Sequence, residues 1–251
     1  MESTFRIQGR ASDGRPALGT GFLLRKSDAK DPPNHRVVLV TAAHVFSNMA
    51  GDSVTLMMRR QDDSGWRDVP VIVSIRSNGR NLWTQNNRAD VAALYLSDIP
   101  AKVAAKLIPT TALANDDRLT EYDIHPGDEL NVLGYPLGYS SAGGFAVLRS
   151  GKIASYPILP TLNNPFFLLD FRVFKGNSGG PVYVSLPFRA TGGGLGVSQT
   201  PFIAGLVSEE VSATEQFQGL YENRSETYPL GLAKIVPASF IIETINSLDA
   251  R

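Results

Sequence analysis

A chain of 251 residues, 43% apolar and 19% charged, is globular and has room for one large all-β domain or two small barrels sharing a cleft. Its 24 Lys and Arg balance 24 Asp and Glu, and no basic cluster is interleaved with aromatics, so a nucleic-acid partner is not expected. Cysteine is absent and the three histidines, His35, His44 and His125, are far apart in the chain, which excludes disulfides, thiolate zinc sites and cysteine nucleophiles and leaves no expectation of a metal or other cofactor.

The opening MESTFRIQGR lacks the basic and apolar segments of a secretory signal, and no stretch nears the roughly 18 apolar residues of a membrane span. No membrane partner and a cytoplasmic location are the expectations. TFRIQGR and GTGFLLR flank ASDGRPAL, whose Asp-Gly and Pro mark a hairpin turn. RVVLVTA, SVTLMMRR, DVPVIVSIR and DVAALYL follow, each short, rich in Val, Ile and Leu, and bounded by turn residues, as strands are. Over AKVAAKLIPTTALANDD the pattern loosens, suiting a short helix and then a linker. The domain expectation is therefore a first unit over 1–100, a linker over 101–120 and a second unit over 121–251.

Strand-length runs resume with DELNVLGYP, GGFAVLRSGKIASY, PFFLLDFRVF, GPVYVS and FIAGLVSEEV. VPASFIIETINSLDA differs: Pro237 suits a first helical turn, and Phe240, Ile241, Ile245 and Leu248 recur at helical spacing. The fold class is all-β with a terminal amphipathic helix. The glycine-rich stretches at 139–146 and 190–200 read as surface loops, with a gating role as the alternative.

FKGNSGGPVYV, beginning at Phe174, holds a serine between glycines, which alone is ordinary turn chemistry. A serine hydroxyl becomes a nucleophile only beside a base that takes its proton and an acid that orients the base. His44, just past the apolar VVLVT with small Ala42 and Ala43 beside it, supplies a base, and Asp90, heading the run VAALYL, supplies a half-buried acid. Singly, each has a plainer reading, a satisfied histidine and a turn aspartate. Chain order discriminates. GNSGG fits the elbow of α/β-hydrolases, but there the histidine follows the serine, and no histidine follows Ser178. An Asp-His-Ser order would need Asp13, Asp28 or Asp31, all in polar turn-like segments. His44, Asp90, Ser178 is the order of the chymotrypsin-like enzymes.

On TAAH at 41–44, ADVAAL at 89–94 and GNSGGPV at 176–182, the chain resembles the chymotrypsin-like (trypsin-like) serine endopeptidases, closest to the cysteine-free bacterial branch of HtrA/Deg proteases and staphylococcal glutamyl endopeptidase. GTGFLL, AGLVS at 204–208 and LGLAKIVP agree. The resemblance implies two six-stranded antiparallel barrels with the active site in their cleft, and hydrolysis of a protein or peptide substrate. His44 would be the base, Asp90 its orienter and Ser178 the nucleophile, with the N–H groups of Gly176 and Ser178 as the oxyanion hole and Ser208 supporting Asp90. Gly179 and Gly180 would serve close packing. Asn177 stands where activation-dependent members carry an aspartate, and no activation sequence precedes the first strand, so cleavage-dependent activation is not expected. Val45 stands where a disulfide cysteine would be, and the PDZ domain usual in HtrA/Deg proteins is not expected within these residues.

The resemblance would put Arg172 where the family's pocket floor lies and Glu209 and Glu210 on the opposite wall, with Lys175 as a further candidate pocket residue. An open arginine would favour an acidic side chain and an open glutamate a basic one; bridged, they would cancel. No preference follows from that. Other readings are a blocked binding module with the protease fold, a hydrolase of small esters, and a latent protease awaiting a regulatory partner.

Overall fold

The computed structural model describes residues 1–27, 35–97, 99–101, 103–185, 189–191, 194–196, 201–218 and 223–248. In the first half lie β1 (Thr4–Arg10), β2 (Pro16–Ser27), β3 (His35–Thr41), helix α1 (Ala43–Ser47), β4 (Ser53–Asp62), β5 (Gly65–Ser74), the small pair β6 (Arg76–Ser77) and β7 (Arg80–Asn81), β8 (Thr84–Gln85), β9 (Ala92–Leu96) and β10 (Ile108–Pro109). The expected N-terminal hairpin is present: β1 and β2 pair from Thr4↔Phe22 to Arg10↔Pro16. β2 and β3 are apolar on both sides because they are central strands. Phe22, Leu23, Leu24, Val38, Leu39 and Val40 are all fully buried.

The sheet order is β5-β4-β1-β2-β3-β9-β8, with β10 added parallel to β2. The two-barrel expectation is met in part: among the described residues the end strands β5 and β8 of this sheet do not pair, while the second half closes a barrel. Edge pairing closes a barrel, and β8 offers only two residues for it.

The segment read as a helix over AKVAAKLIPTTALANDD is also different. Ile108 pairs with Leu24 in β10 and is held extended. Helix α2 (Asp116–Glu121) begins only where Asn115 caps it, its side chain accepting from Arg118 N at 3.0 Å, with Asp116 and Asp117 in the first turn.

The second half contains β11 (Glu129–Gly134), β12 (Val147–Ile153), β13 (Phe167–Asp170), β14 (Pro181–Val184), the pair β15 (Arg189–Thr191) and β16 (Gly194–Gly196), β17 (Phe202–Gln218), β18 (Asn223–Pro237) and helix α3 (Ala238–Ser247). Six of these strands close a barrel in the order β11-β12-β13-β18-β17-β14. The glycine-rich stretch at 190–200 lies largely outside the described residues. Its counterpart at 139–146 is tied down rather than loose: Ser141 N donates to Phe145 O at 2.9 Å, and Gly144 O accepts from Arg59 and from the Tyr135 hydroxyl, both at 3.1 Å.

Among the described residues two large apolar cores result, the first built mainly from the first half and the second from the second, with a small third cluster of Leu133, Tyr135 and Ala146. The expected terminal helix belongs to the first of them: Phe240, Ile241, Ile245 and Leu248 join the cluster of Phe22, Leu39 and Phe46. α3 therefore returns the chain from the second barrel to the first sheet.

Candidate active site

β3 delivers the chain to α1 through extended Ala42, which puts His44 in the first turn of that short helix. Asp90 sits in the tight turn before β9. Asn86 builds the turn, its Oδ1 accepting from Arg88 N at 2.9 Å and Ala89 N at 3.1 Å, while Asn86 N donates to Val91 O at 3.0 Å. The turn presents the Asp90 carboxylate to α1. His44 Nδ1 lies 2.7 Å from Asp90 Oδ2, and His44 N donates to Oδ1 at 3.0 Å. Ser208, on β17, donates its hydroxyl to Oδ2 at 2.6 Å.

Burial pushes the Asp90 pKa up, but the hydrogen bond from the His44 ring, the imidazole charge, the Ser208 hydroxyl and the His44 N–H together outweigh it and hold the carboxyl below the usual range. An ionised Asp90 accepts a hydrogen bond from Nδ1–H, which keeps the proton on Nδ1 and leaves Nε2 as the acceptor. The imidazole is 38% exposed and its carboxylate partner 26%, so the pair is buried on one side and open on the other.

Ser178 precedes β14 in a segment whose backbone is almost fully committed. The carbonyls of Lys175, Gly176, Asn177 and Ser178 accept, in order, from Leu137 N at 2.6 Å, Thr20 Oγ1 at 2.5 Å, Gly180 N at 2.9 Å and Thr20 N at 2.8 Å. The N–H groups of Asn177, Gly179 and Gly180 donate to Phe174 O, Val207 O and Asn177 O. Among the described residues, those of Gly176 and Ser178 have no acceptor. In a trans peptide the N–H points opposite to the preceding carbonyl. The bonds to Lys175 O and Asn177 O therefore turn both free N–H groups away from the protein groups that hold those carbonyls. Glycine is obligatory at 176: φ is +96°, and a Cβ would lie 2.2 Å from Tyr135 O. Gly179 and Gly180 are packed as expected, a Cβ on either lying within 2.2 Å of a backbone oxygen.

His44, Ser178, Gly176 and Lys175 line one cleft, bordered by Asp13 and Arg15 of the β1–β2 turn. Both side chains line this cleft, and no hydrogen bond joins Ser178 Oγ to His44 among the described residues. Asn177 is 1% exposed, and its Oδ1 has no partner.

The four pocket residues do not form one cluster. Arg172 is exposed and lies over the Phe174 ring at 5.3 Å, while Arg149 donates to its carbonyl at 2.7 Å. Glu209 pairs with Lys234 at 2.7 Å, and Glu210 is half-buried with Oε1 unpartnered. The Arg–Glu bridge weighed from sequence is not formed. Sequence reasoning missed Thr20, Asn86 and Leu137. Thr20 left one faint signal, a hydroxyl between two glycines in an otherwise apolar run.

A model of the trypsin-like peptidase domain matches residues 19–185. No curated protein matches the sequence. Among solved structures, the chain is similar to the protease Anisep from Arthrobacter nicotinovorans, at 13% identity and TM-score 0.54 over 100% of this chain and 97% of that one. It is similar to Deg5, at 16% identity and TM-score 0.51 over 98% and 89%, and to an inactivated protease paralogue of the scabies mite, at 13% and 0.54 over 99% and 94%. At such identities the neighbours speak for the fold, and the domain match, over most of the chain, speaks for the family. The chain belongs to the trypsin-like peptidases, serine endopeptidases of chymotrypsin-like fold.

Proposed function

We propose that the protein hydrolyses peptide bonds through His44, Asp90 and Ser178 by way of an acyl-enzyme, and that it needs no zymogen cleavage. Ser178 Oγ attacks the carbonyl carbon of the scissile peptide as its proton passes to His44 Nε2. The carbonyl π pair moves onto oxygen, and the N–H groups of Gly176 and Ser178 receive the resulting charge. The tetrahedral adduct collapses, the C–N bond breaks, and His44 gives its proton to the departing amine. Water, deprotonated by the same Nε2, then attacks the ester and releases the acid with Ser178 restored. Asp90 remains ionised throughout and stabilises the transient imidazolium.

The observation that carries this reading is the pairing of an oriented imidazole with two unused backbone N–H groups on one cleft. Proton transfer needs Ser178 and His44 to come within hydrogen-bond reach. In free enzymes that contact is often loose and tightens with substrate. Asn177 supports activation without cleavage: buried and uncharged, it does not require the ammonium group that a buried aspartate would.

The test is a fluorophosphonate label with a peptide-turnover assay. The parent, confirmed by intact mass to be uncleaved, should label and turn over. Ser178→Ala should do neither, losing about a millionfold in kcat. A parent that binds peptides yet never labels would instead be a binding module with the protease fold.

A further inference from the structure

We infer that Thr20 is the positioning residue that fixes the oxyanion hole; the inference rests on the proposed peptidase reading. Thr20 is 0% exposed and thus out of a substrate's reach, yet all of its polar groups are used. Its N–H donates to Ser178 O at 2.8 Å, and its hydroxyl donates to Gly176 O at 2.5 Å and accepts from Tyr135 N at 3.2 Å. Its carbonyl accepts from Thr41 Oγ1 at 2.7 Å. Two of the four restrained carbonyls between Lys175 and Ser178 are thus held by one residue of the other half of the molecule, more than 150 positions away in sequence.

The need for an outside restraint follows from Gly176 itself. With no Cβ, its backbone has more accessible φ/ψ space than any other residue's, so nothing local prevents the adjoining peptides from rotating. Rotation of the Gly176–Asn177 peptide swings its carbonyl off Thr20 Oγ1 and changes the setting of the Lys175–Gly176 peptide, whose N–H must face the substrate oxygen. The Thr20 hydroxyl opposes that rotation, because a buried carbonyl without a donor is costly. The same residue, through Thr41, steadies the chain next to Ala42, the residue that opens α1 and so places His44. Its effect should therefore fall on the transition state rather than on substrate binding.

Thr20→Val replaces the hydroxyl with a methyl group and keeps the shape. Kinetics on a peptide substrate, normalised to sites titrated with an acylating reagent, should show kcat lowered by roughly 10–100-fold, below the full loss of an oxyanion donor. KM should stay within about threefold, and the pH midpoint of kcat/KM should not move. Thr20→Ser, which keeps the hydroxyl, should return kcat to within about threefold of the parent. Thr20→Ala carries the same expectation as Thr20→Val and replaces it if the valine variant does not fold.

A folded hydroxyl-free variant with kcat per titrated site within about threefold of the parent overturns the inference. So does a Thr20→Ser protein as impaired as the hydroxyl-free ones. A parent with normal turnover beside an unimpaired Thr20→Val sinks this inference alone, whereas a parent without turnover sinks the proposed function and this inference with it.

Discussion

Gly176 and Asp90 mark the two ends of the proposed chemistry, and each makes a separate demand on the backbone. A side chain at 176 would have to displace the Tyr135 carbonyl, 2.2 Å from its Cβ, or leave φ +96° and so redirect the N–H. Gly176→Ala should therefore lower kcat by about 10²–10³-fold, the usual cost of an oxyanion donor, with KM far less affected in steady-state assays. Asp90 makes an electrostatic demand. Its folded pKa is held below the unfolded value of about 4, so its contribution to stability is complete above that value and is lost as pH falls through the lower, folded one. Thermal melts of parent and Asp90→Asn should thus differ most at neutral pH and converge below about pH 4. A gap that instead widened in acid would contradict the shift. The proposed grouping of His44, Asp90 and Ser178 rests on residue types and chain order, and Ser208 beside Asp90 was implied by the resemblance. Arg172, Glu209 and Glu210 were not legible, because side-chain direction at a pocket wall depends on register shifts such as that between Val207 and Glu210.

Among the elements, α3 does more than cover apolar surface. Phe240 and Ile241 fill the first core, and the Asn86 amide reaches Thr244 Oγ1 at 3.3 Å and Phe240 O at 3.5 Å. The turn that presents Asp90 is thereby seated on the last helix of the chain. Phe240→Ala should cost about 3–5 kcal/mol. For a chain of this length that corresponds to a Tm lower by about 6–20 °C, readable by calorimetry. The strands were legible from their apolar runs and α3 from its helical spacing. The segment before Asn115 was misread because alanine and lysine favour helix locally, while pairing of Ile108 with Leu24 overrides that preference. Closure of the first sheet was not legible either, since the strand count says nothing about whether β5 and β8 meet.

At the scale of the molecule, Arg59 joins parts that no sequence window contains. It is 0% exposed, and the rings of Phe5 and Phe145 lie 4.6 and 4.4 Å from its guanidinium carbon. It donates to Met1 O, Thr4 O, the Tyr135 hydroxyl and Gly144 O, so one weakly hydrated cation ties the N-terminus and β4 to the second half. Arg59→Leu strips those oxygens of a donor and should destabilise the protein on the order of 3 kcal/mol. That is a Tm lower by about 6–12 °C in calorimetry, with no change in the pH dependence of turnover. The Thr20 bonds to Gly176 and Ser178 span the same divide and set an order of events during synthesis. The ribosome releases His44 and Asp90 long before Ser178, and N-terminal regions generally fold first. A chain caught at that stage holds a base and an acid with nothing to activate. The last atoms of the proposed machinery take their places only when the two halves have docked, so turnover should appear only with the completed fold. The capacity to cut is thus a certificate of completed folding.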